Sequence, residues 1–346
     1  MTISVVGVDL SKSVFQLSMA DARHRVVDRK RLSRAQFHRF LAQTTHVRLV
    51  MEACGTSNYW GRTAQLHGHT VKLLHAKYVK AYVRRTKTDT ADADALVLAD
   101  RDDSLHPIPL KSEELQALQG LHRIREQWKR ARVARICEAR ALLGEFGFST
   151  SLGARGIGKK LTLATEQAPF LIQLTLLDLI QEIGDLEQRL KRVDHTLAAY
   201  ANTNADVQAL LGIQGIGITI ATAFVARVPS INLFKRGRSF ASWLGLTCRE
   251  YSSGQTRRLS RITKQGDRYL RMMLIHGARA ALMAARRKVA NGKQLTSLET
   301  WAVNTQARVG HNKATVALAN KMARIMWAVW TRHKDFNGDY ALRFAA

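Results

Sequence analysis

Apolar residues open the chain in short runs, at about 3–9, 13–19 and 24–31, each of strand length and parted by a few polar residues. Connections this short predict an antiparallel meander. A helix near 33–43, a strand at 46–51, a helix at 57–67 and a strand at 70–75 follow, and that alternation predicts strands added in parallel to the same sheet. Residues 1–110 are therefore expected to form a mixed α/β sheet domain with helices packed on it. Thr88 and Asp89 read as the start of a helix through the Ala- and Leu-rich stretch 91–99. His106-Pro107-Ile108-Pro109 cannot continue a helix interior, so a domain boundary is expected there.

From 113 to about 146 the pattern is helical, and a second helical stretch follows the glycine-rich Gly153-Ala154-Arg155-Gly156-Ile157-Gly158. Within it Leu176, Leu179, Ile183, Leu186, Leu190, Val193 and Leu197 alternate spacings of three and four, the seam of a coiled coil. Residues 111–202 thus read as a helical arm that self-associates through this seam, or, alternatively, packs on its own domain. Residues 203–346 read as a third, all-α region, helical around 266–290 and 312–333. It opens on Gly212-Ile213-Gln214-Gly215-Ile216-Gly217, where a tight turn between two helices would let backbone amides at Gly215 and Gly217 meet a phosphate. This is like a helix-hairpin-helix grip on DNA; a packing turn with no ligand is the other reading.

Charge changes the picture more than hydropathy does. The 346 residues carry 54 Lys and Arg against 27 Asp and Glu, a formal net charge of +27, yet 46% are hydrophobic, which suits folded domains with basic faces. A polyanionic partner follows, most simply DNA or RNA. Cys54, Cys137 and Cys248 are isolated and never in a C-x-x-C spacing, which argues against a disulfide framework and a structural zinc site. No apolar stretch approaches the roughly 20 residues that span a bilayer, and the first residues lack a leader pattern, so a cytoplasmic, nucleoid-associated protein with no membrane partner is expected.

Four carboxylates stand out against this basic background. Asp9 and Glu52 end apolar strand runs, and Asp89 and Asp92, three apart on a helix, share a face. Together they have the makings of an oxygen-ligand site for Mg²⁺ facing a nucleic-acid backbone. Asp94, two residues on, should point elsewhere. Downstream, the turn Tyr251-Ser252-Ser253-Gly254 precedes Arg257-Arg258-Leu259-Ser260-Arg261-Ile262-Thr263-Lys264 and could present a hydroxyl to a phosphate. Arg257, Arg258, Lys264, Arg268 and Arg271 are the candidate contacts to that backbone.

These segments resemble a known family. Val6-Gly7-Val8-Asp9-Leu10-Ser11-Lys12, Met51-Glu52-Ala53-Cys54-Gly55 and Lys87-Thr88-Asp89-Thr90-Ala91-Asp92-Ala93 look like the acidic motifs of the DEDD transposases named after insertion sequence 110. Trp243-Leu244-Gly245-Leu246, Tyr251-Ser252-Ser253-Gly254, Gly266-Asp267-Arg268-Tyr269-Leu270-Arg271 and Ala317-Leu318-Ala319-Asn320-Lys321 match in the same order. The resemblance implies an RNase H-like, RuvC-type domain, a coiled-coil segment and a C-terminal domain supplying a serine nucleophile. It implies Mg²⁺ on Asp9, Glu52, Asp89 and Asp92, and Ser252 as the attacking residue, with Ser253 as the alternative. It further implies a structured non-coding bridge RNA that pairs with target and donor DNA, and a homo-oligomer, dimer or tetramer. Two other functions fit the residues less fully: a RuvC-like endonuclease using water, and an architectural nucleic-acid binder without catalysis.

Overall fold

The computed structural model describes residues 2–83, 88–149, 157–333 and 336–338. Lys87 of the third acidic motif and the glycine-rich Gly153-Ala154-Arg155-Gly156 lie outside these residues. The chain divides into two compact units, residues 1–112 and 113–346.

The first unit is a five-stranded mixed sheet. Strands β1 (Val5–Leu10), β2 (Val14–Ala20) and β3 (Val26–Ser33) form an antiparallel meander. Helix α1 (Arg34–Gln43) starts on a capping box in which Ser33 and Gln36 satisfy each other's backbone amides. Strands β4 (Arg48–Glu52) and β5 (Thr70–Leu74), joined by α2 (Ser57–Leu66), add in parallel, giving the order β3-β2-β1-β4-β5. The short α3 (Ala76–Val79) and then α4 (Asp89–Asp100) follow.

Strand alternation divides the core between two faces. Val6, Val8, Leu49 and Met51 pack with α1 and α2 around Phe15, Phe37 and Trp60, whose rings meet edge-on at 5.0–5.2 Å. Val5, Ala20, Val50 and Leu74 pack on the opposite face with Ala95, Leu96 and Val97 of α4. Gly7 lies under α4, where a Cβ would sit 2.4 Å from the Ala93 carbonyl oxygen, so the helix can approach only a glycine.

The second unit is helical apart from one hairpin. Long helices α5 (Glu113–Glu145) and α7 (Phe170–Thr203) run antiparallel, with α6 (Ile157–Glu166) packed against them. Ion pairs Arg125–Asp194 at 2.6 Å, Arg132–Glu187 at 2.6 Å and Arg135–Glu182 at 2.7 Å register the long pair in opposite directions. The expectation of self-association through the α7 seam is corrected here. Leu176 and Ile183 are buried with Ile136, Ala139 and Leu143 of α5, and Val193 and Leu197 with Leu118 and Ala226. The antiparallel return of the same chain brings α5 close enough to cover the seam.

Helices α8 (Ala205–Leu211), α9 (Ile218–Arg227), α10 (Gly237–Trp243), α11 (Arg268–Ala290), α12 (Ser297–Val309) and α13 (His311–Arg332) enclose the largest core, around Phe224, Phe240, Leu274, Leu318 and Met322. Strands β6 (Cys248–Glu250) and β7 (Leu259–Ile262) form an antiparallel hairpin inserted before α11. The sequence predicts a turn at Ser252-Ser253-Gly254 but neither the strands that flank it nor α12. His122 of α5 is fully buried between the Tyr269 hydroxyl at 3.2 Å and Thr222 Oγ1 at 3.1 Å, and joins α5 to α11 and α9.

Candidate functional site

The four carboxylates gather at one edge of the first unit for reasons visible in its topology. Asp9 follows Gly7 by two residues and Glu52 follows Val50 by two, so both belong to the sheet face on which α4 packs. Parallel pairing of β1 with β4, through Val8 opposite Met51, sets the two strand ends side by side. Helix α4 runs against these strands. Its Ala93 lies over Gly7, Asp94 bonds Ser18 opposite Gly7, and Asp100 reaches Arg48 at the start of β4. Its first turn, holding Asp89 and Asp92, therefore lies at the strand ends that carry Asp9 and Glu52. Thr88 caps that turn by accepting from the Ala91 amide, and the helix's positive end favours the two carboxylates.

Asp89 is exposed and the other three are partly exposed. As the side chains stand, no group of three or more His, Cys, Asp or Glu among the described residues is close enough to hold a metal. The donor set, all carboxylate oxygen at one edge, is nonetheless of the type that suits a hard divalent cation. Asp94 is committed elsewhere, to the Ser18 hydroxyl at 2.6 Å and the Arg29 guanidinium at 2.9 Å. Asp100, which the sequence reading passed over, anchors the far end of α4. Its buried carboxylate meets His24 at 3.0 Å, Arg48 at 3.0 Å and Lys72 at 3.1 Å. Burial pushes its pKa up, but the hydrogen bonds from His24 and Lys72 and the charges of Lys72 and Arg48 outweigh this and hold it below the usual carboxylate range.

The serines sit at the exposed end of the β6–β7 hairpin in the second unit. Ser253 exchanges backbone hydrogen bonds with Thr256 at 3.1 and 3.2 Å, and Gly254 takes the left-handed conformation that closes this turn, at φ +55°. Ser252 donates its hydroxyl proton to Glu250 Oε1 at 2.7 Å, and its oxygen accepts from the Arg258 amide at 3.4 Å. Glu250 also pairs with Arg257 at 3.2 Å. The Ser252 hydrogen bond first, and the Arg257 charge second, hold the Glu250 carboxyl below its ordinary range, so it is an ionised acceptor at neutral pH. Sequence reasoning missed Glu250. The signal was present, since residues two apart on an extended strand share a face.

The candidate phosphate contacts divide. Arg257, Arg258, Lys264 and Arg268 are exposed. Arg271 is corrected: it is turned inward, only 9% exposed, and its guanidinium donates to the carbonyls of Leu244 at 3.1 Å and Gln265 at 2.9 Å. On α11 the position three residues after Arg268 has rotated onto the core side, so Arg271 clamps the base of the hairpin instead of reaching outward. The same base is closed by Gly245 and Gly266, both at positive φ; a Cβ on the first would lie 2.0 Å from the Gln265 oxygen and on the second 1.8 Å from the Trp243 oxygen. Gly215 packs backbone to backbone on Gly277 of α11, whereas Gly217 heads α9 exposed with open space about it.

Comparison with known proteins places these features in a family. Residues 207–293 match the family model described as "Transposase IS116/IS110/IS902 family", and residues 6–147 match a DEDD model of IS110, described as "Transposase". A "Probable family 20 transposase" of Pseudomonas aeruginosa is 40% identical over 96% of this chain and 98% of its own length. The "Transposase for insertion sequence element IS1111A" of Coxiella burnetii is 36% identical over 96% of this chain and 91% of its own. That for IS1328 of Yersinia enterocolitica is 32% identical over 97% and 99%. The two matched segments carry the serine hairpin and the acidic edge respectively, and on likeness over nearly its whole length the chain belongs to the IS110 family of transposases.

Proposed function

We propose that this transposase cleaves and rejoins DNA through a phosphoserine intermediate, with the acidic edge of an RNase H-like, RuvC-type first unit and the serine hairpin of the second as the two halves of one site. The observation that carries this reading is Ser252: exposed on a hairpin flanked by arginines, its hydroxyl is already hydrogen-bonded to an ionised carboxylate. A serine hydroxyl is a weak nucleophile at neutral pH, and an acceptor at 2.7 Å can take its proton as the oxygen attacks phosphorus. The bond from phosphorus to the leaving deoxyribose oxygen then breaks, and attack by a second DNA end on the phosphoserine restores the hydroxyl. Ser253, one residue on, is the alternative nucleophile.

Asp9, Glu52, Asp89 and Asp92 would hold Mg²⁺, which when bound would neutralise charge on the scissile phosphate and stabilise the departing oxygen. Arg257, Arg258, Lys264 and Arg268 would hold the DNA backbone, with Gly217 at the head of α9 as a further phosphate contact. The abundance of exposed cations without a repeat of base-reading side chains suits delegation of sequence choice to a structured RNA that pairs with target and donor DNA. A homo-oligomer would bring the acidic edge of one subunit to the serine of another. Phe170, Leu171 and Leu174, exposed by 82%, 96% and 69% at the start of α7, offer an apolar surface for it. No helix among the described residues is long and apolar enough to cross a membrane, and a DNA-acting protein would work at the nucleoid.

The test is to trap protein on end-labelled element DNA with the RNA encoded beside the gene and Mg²⁺. A covalent adduct in the wild-type protein, lost in Ser252→Ala, supports the proposal. Adducts that survive Ser252→Ala and vanish in Ser253→Ala move the nucleophile by one residue, and hydrolytic nicks without adduct would favour a water-using nuclease.

A further inference from the structure

A cavity of about 1190 Å³ lies in the second unit, between the base of the β6–β7 hairpin and the first half of α13. Its wall is apolar at Leu246, Ile262 and Val316, and Asn320 fixes that wall by donating to the Leu246 carbonyl at 3.0 Å. Its cations are Arg261, Lys264, Lys313, Lys321 and Arg324, and among the described residues no Asp or Glu lines it. Lys321 is the unusual member. It is 6% exposed, its ammonium stands 4.3 Å from the centroid of the Trp301 ring, and no carboxylate pairs with it among the described residues. An ammonium taken out of water without an anion is costly, and an aromatic face offsets only part of that cost. Burial, and then the neighbouring Arg324 charge, push its pKa down from the ordinary lysine range.

A lining that combines a cluster of cations with an apolar wall is complementary to a nucleotide, which is anionic at one end and flat and apolar at the other. The volume is of the order that houses a small ligand, too confined for a duplex and sufficient for a nucleotide withdrawn from its stack. Strand β7 runs from the serine turn directly into this wall through Ser260, Arg261 and Ile262, so a strand lying on the hairpin passes the cavity mouth.

We infer that this cavity receives an unpaired nucleotide of the DNA strand held on the serine hairpin, its phosphate on Lys321 and Arg324 and its base against the Leu246, Ile262 and Val316 wall. The inference rests on the reading of the hairpin as DNA-bound, but it is tested by binding alone, without cleavage. The probe is a twelve-nucleotide single strand of DNA carrying 2-aminopurine, compared with its duplex and with RNA of the same sequence, on the purified full-length protein. Wild type should raise the 2-aminopurine fluorescence of the single strand more than that of the duplex, because a base withdrawn onto an aliphatic wall loses the stacking that quenches it. Lys321→Met should weaken single-strand binding roughly tenfold, reduce the slope of log affinity against log salt by about 0.7 and abolish the rise, with duplex affinity unchanged. The methionine removes a buried charge and keeps an unbranched chain, so folding should survive; Lys313→Gln, on the exposed rim, gives a weaker loss of the same kind without touching the core.

The inference is overturned if Lys321→Met and Lys313→Gln leave single-strand affinity and the fluorescence rise as in wild type, if they weaken duplex binding equally, or if RNA alone brightens. A wild-type rise that depends on Lys321, in a protein that forms no adduct with DNA, would leave the cavity assigned and remove only the phosphoserine chemistry.

Discussion

Ser252, two residues beyond the end of β6 at Glu250, is joined to that residue by a 2.7 Å hydrogen bond from hydroxyl to carboxylate. Glu250→Gln keeps the shape and removes the proton acceptor, and should slow adduct formation on the order of 10²-fold while DNA affinity stays within a few-fold of wild type. Because Arg257 helps to hold Glu250 ionised, Arg257→Gln should raise the Glu250 pKa and move the acid limb of the rate profile to higher pH. Single-turnover rates across pH 4 to 8 measure both; an unchanged profile in the two variants would separate Glu250 from the chemistry.

The acidic edge predicts a second split between binding and reaction. Asp9→Asn and Asp92→Asn should abolish adducts, as should EDTA, while filter binding of DNA persists. Asp94→Asn should leave the Mg²⁺ dependence unaltered, since that carboxylate is occupied by Ser18 and Arg29. A loss of metal dependence in Asp94→Asn would move the ligand set.

At the hairpin base, Gly245→Ala should destabilise the protein by about 3 kcal/mol or more, because the new Cβ meets the Gln265 oxygen in a backbone conformation that disfavours side chains. Gly217→Ala, in open space at negative φ, should cost under about 1 kcal/mol. Urea unfolding of the two variants decides whether the close approach exists.

His122 makes stability depend on acidity. Its burial, followed by the charges of Arg227 and Arg125, lowers its pKa from 6.5 to about 4. Above pH 6.5 it is neutral folded and unfolded, and its full contribution is present. Between pH 6.5 and 4 the unfolded chain takes up the proton and the folded one does not, so stability falls as pH falls, by about 2 kcal/mol at pH 5. Unfolding free energies measured at pH 7 and pH 5 should show this loss in wild type and a smaller one in His122→Gln.

The apolar start of α7 predicts the weak point of the proposed homo-oligomer. Leu171→Asp combined with Leu174→Asp should lower the assembly state seen by light scattering, with little change in melting temperature, since both side chains are exposed within the chain. Ile183, farther along the same helix, is a buried seam position packed on α5, and Ile183→Asp should instead unfold the helical pair.

The mixed sheet was legible because strand-length apolar runs and their short connections carry local information, and the observed ends fall within about three residues of those expected. The acidic edge was legible as residue types; that Asp9 and Glu52 share the α4 face needed only strand parity. What the sequence concealed is non-local. The covering of the α7 seam by α5 depends on a chain return that no periodicity encodes, and Arg271 is indistinguishable from Arg268 in composition until α11 is docked. Strands β6 and β7 are three and four residues long and mostly polar, below what alternation can reveal. The buried Lys321 looked like one more cation on a basic helix.

The antiparallel pairing of α5 with α7 also has a metric consequence. A straight helix of 34 residues is about 50 Å long. The leucines exposed at one end of α7 thus stand that far from the end where the helix meets Asn204 and α8. If copies join at those leucines, the arm acts as a spacer: it sets how far apart two hairpins are held, and so the separation along DNA at which paired cuts can be made, without any residue of the arm approaching a phosphate.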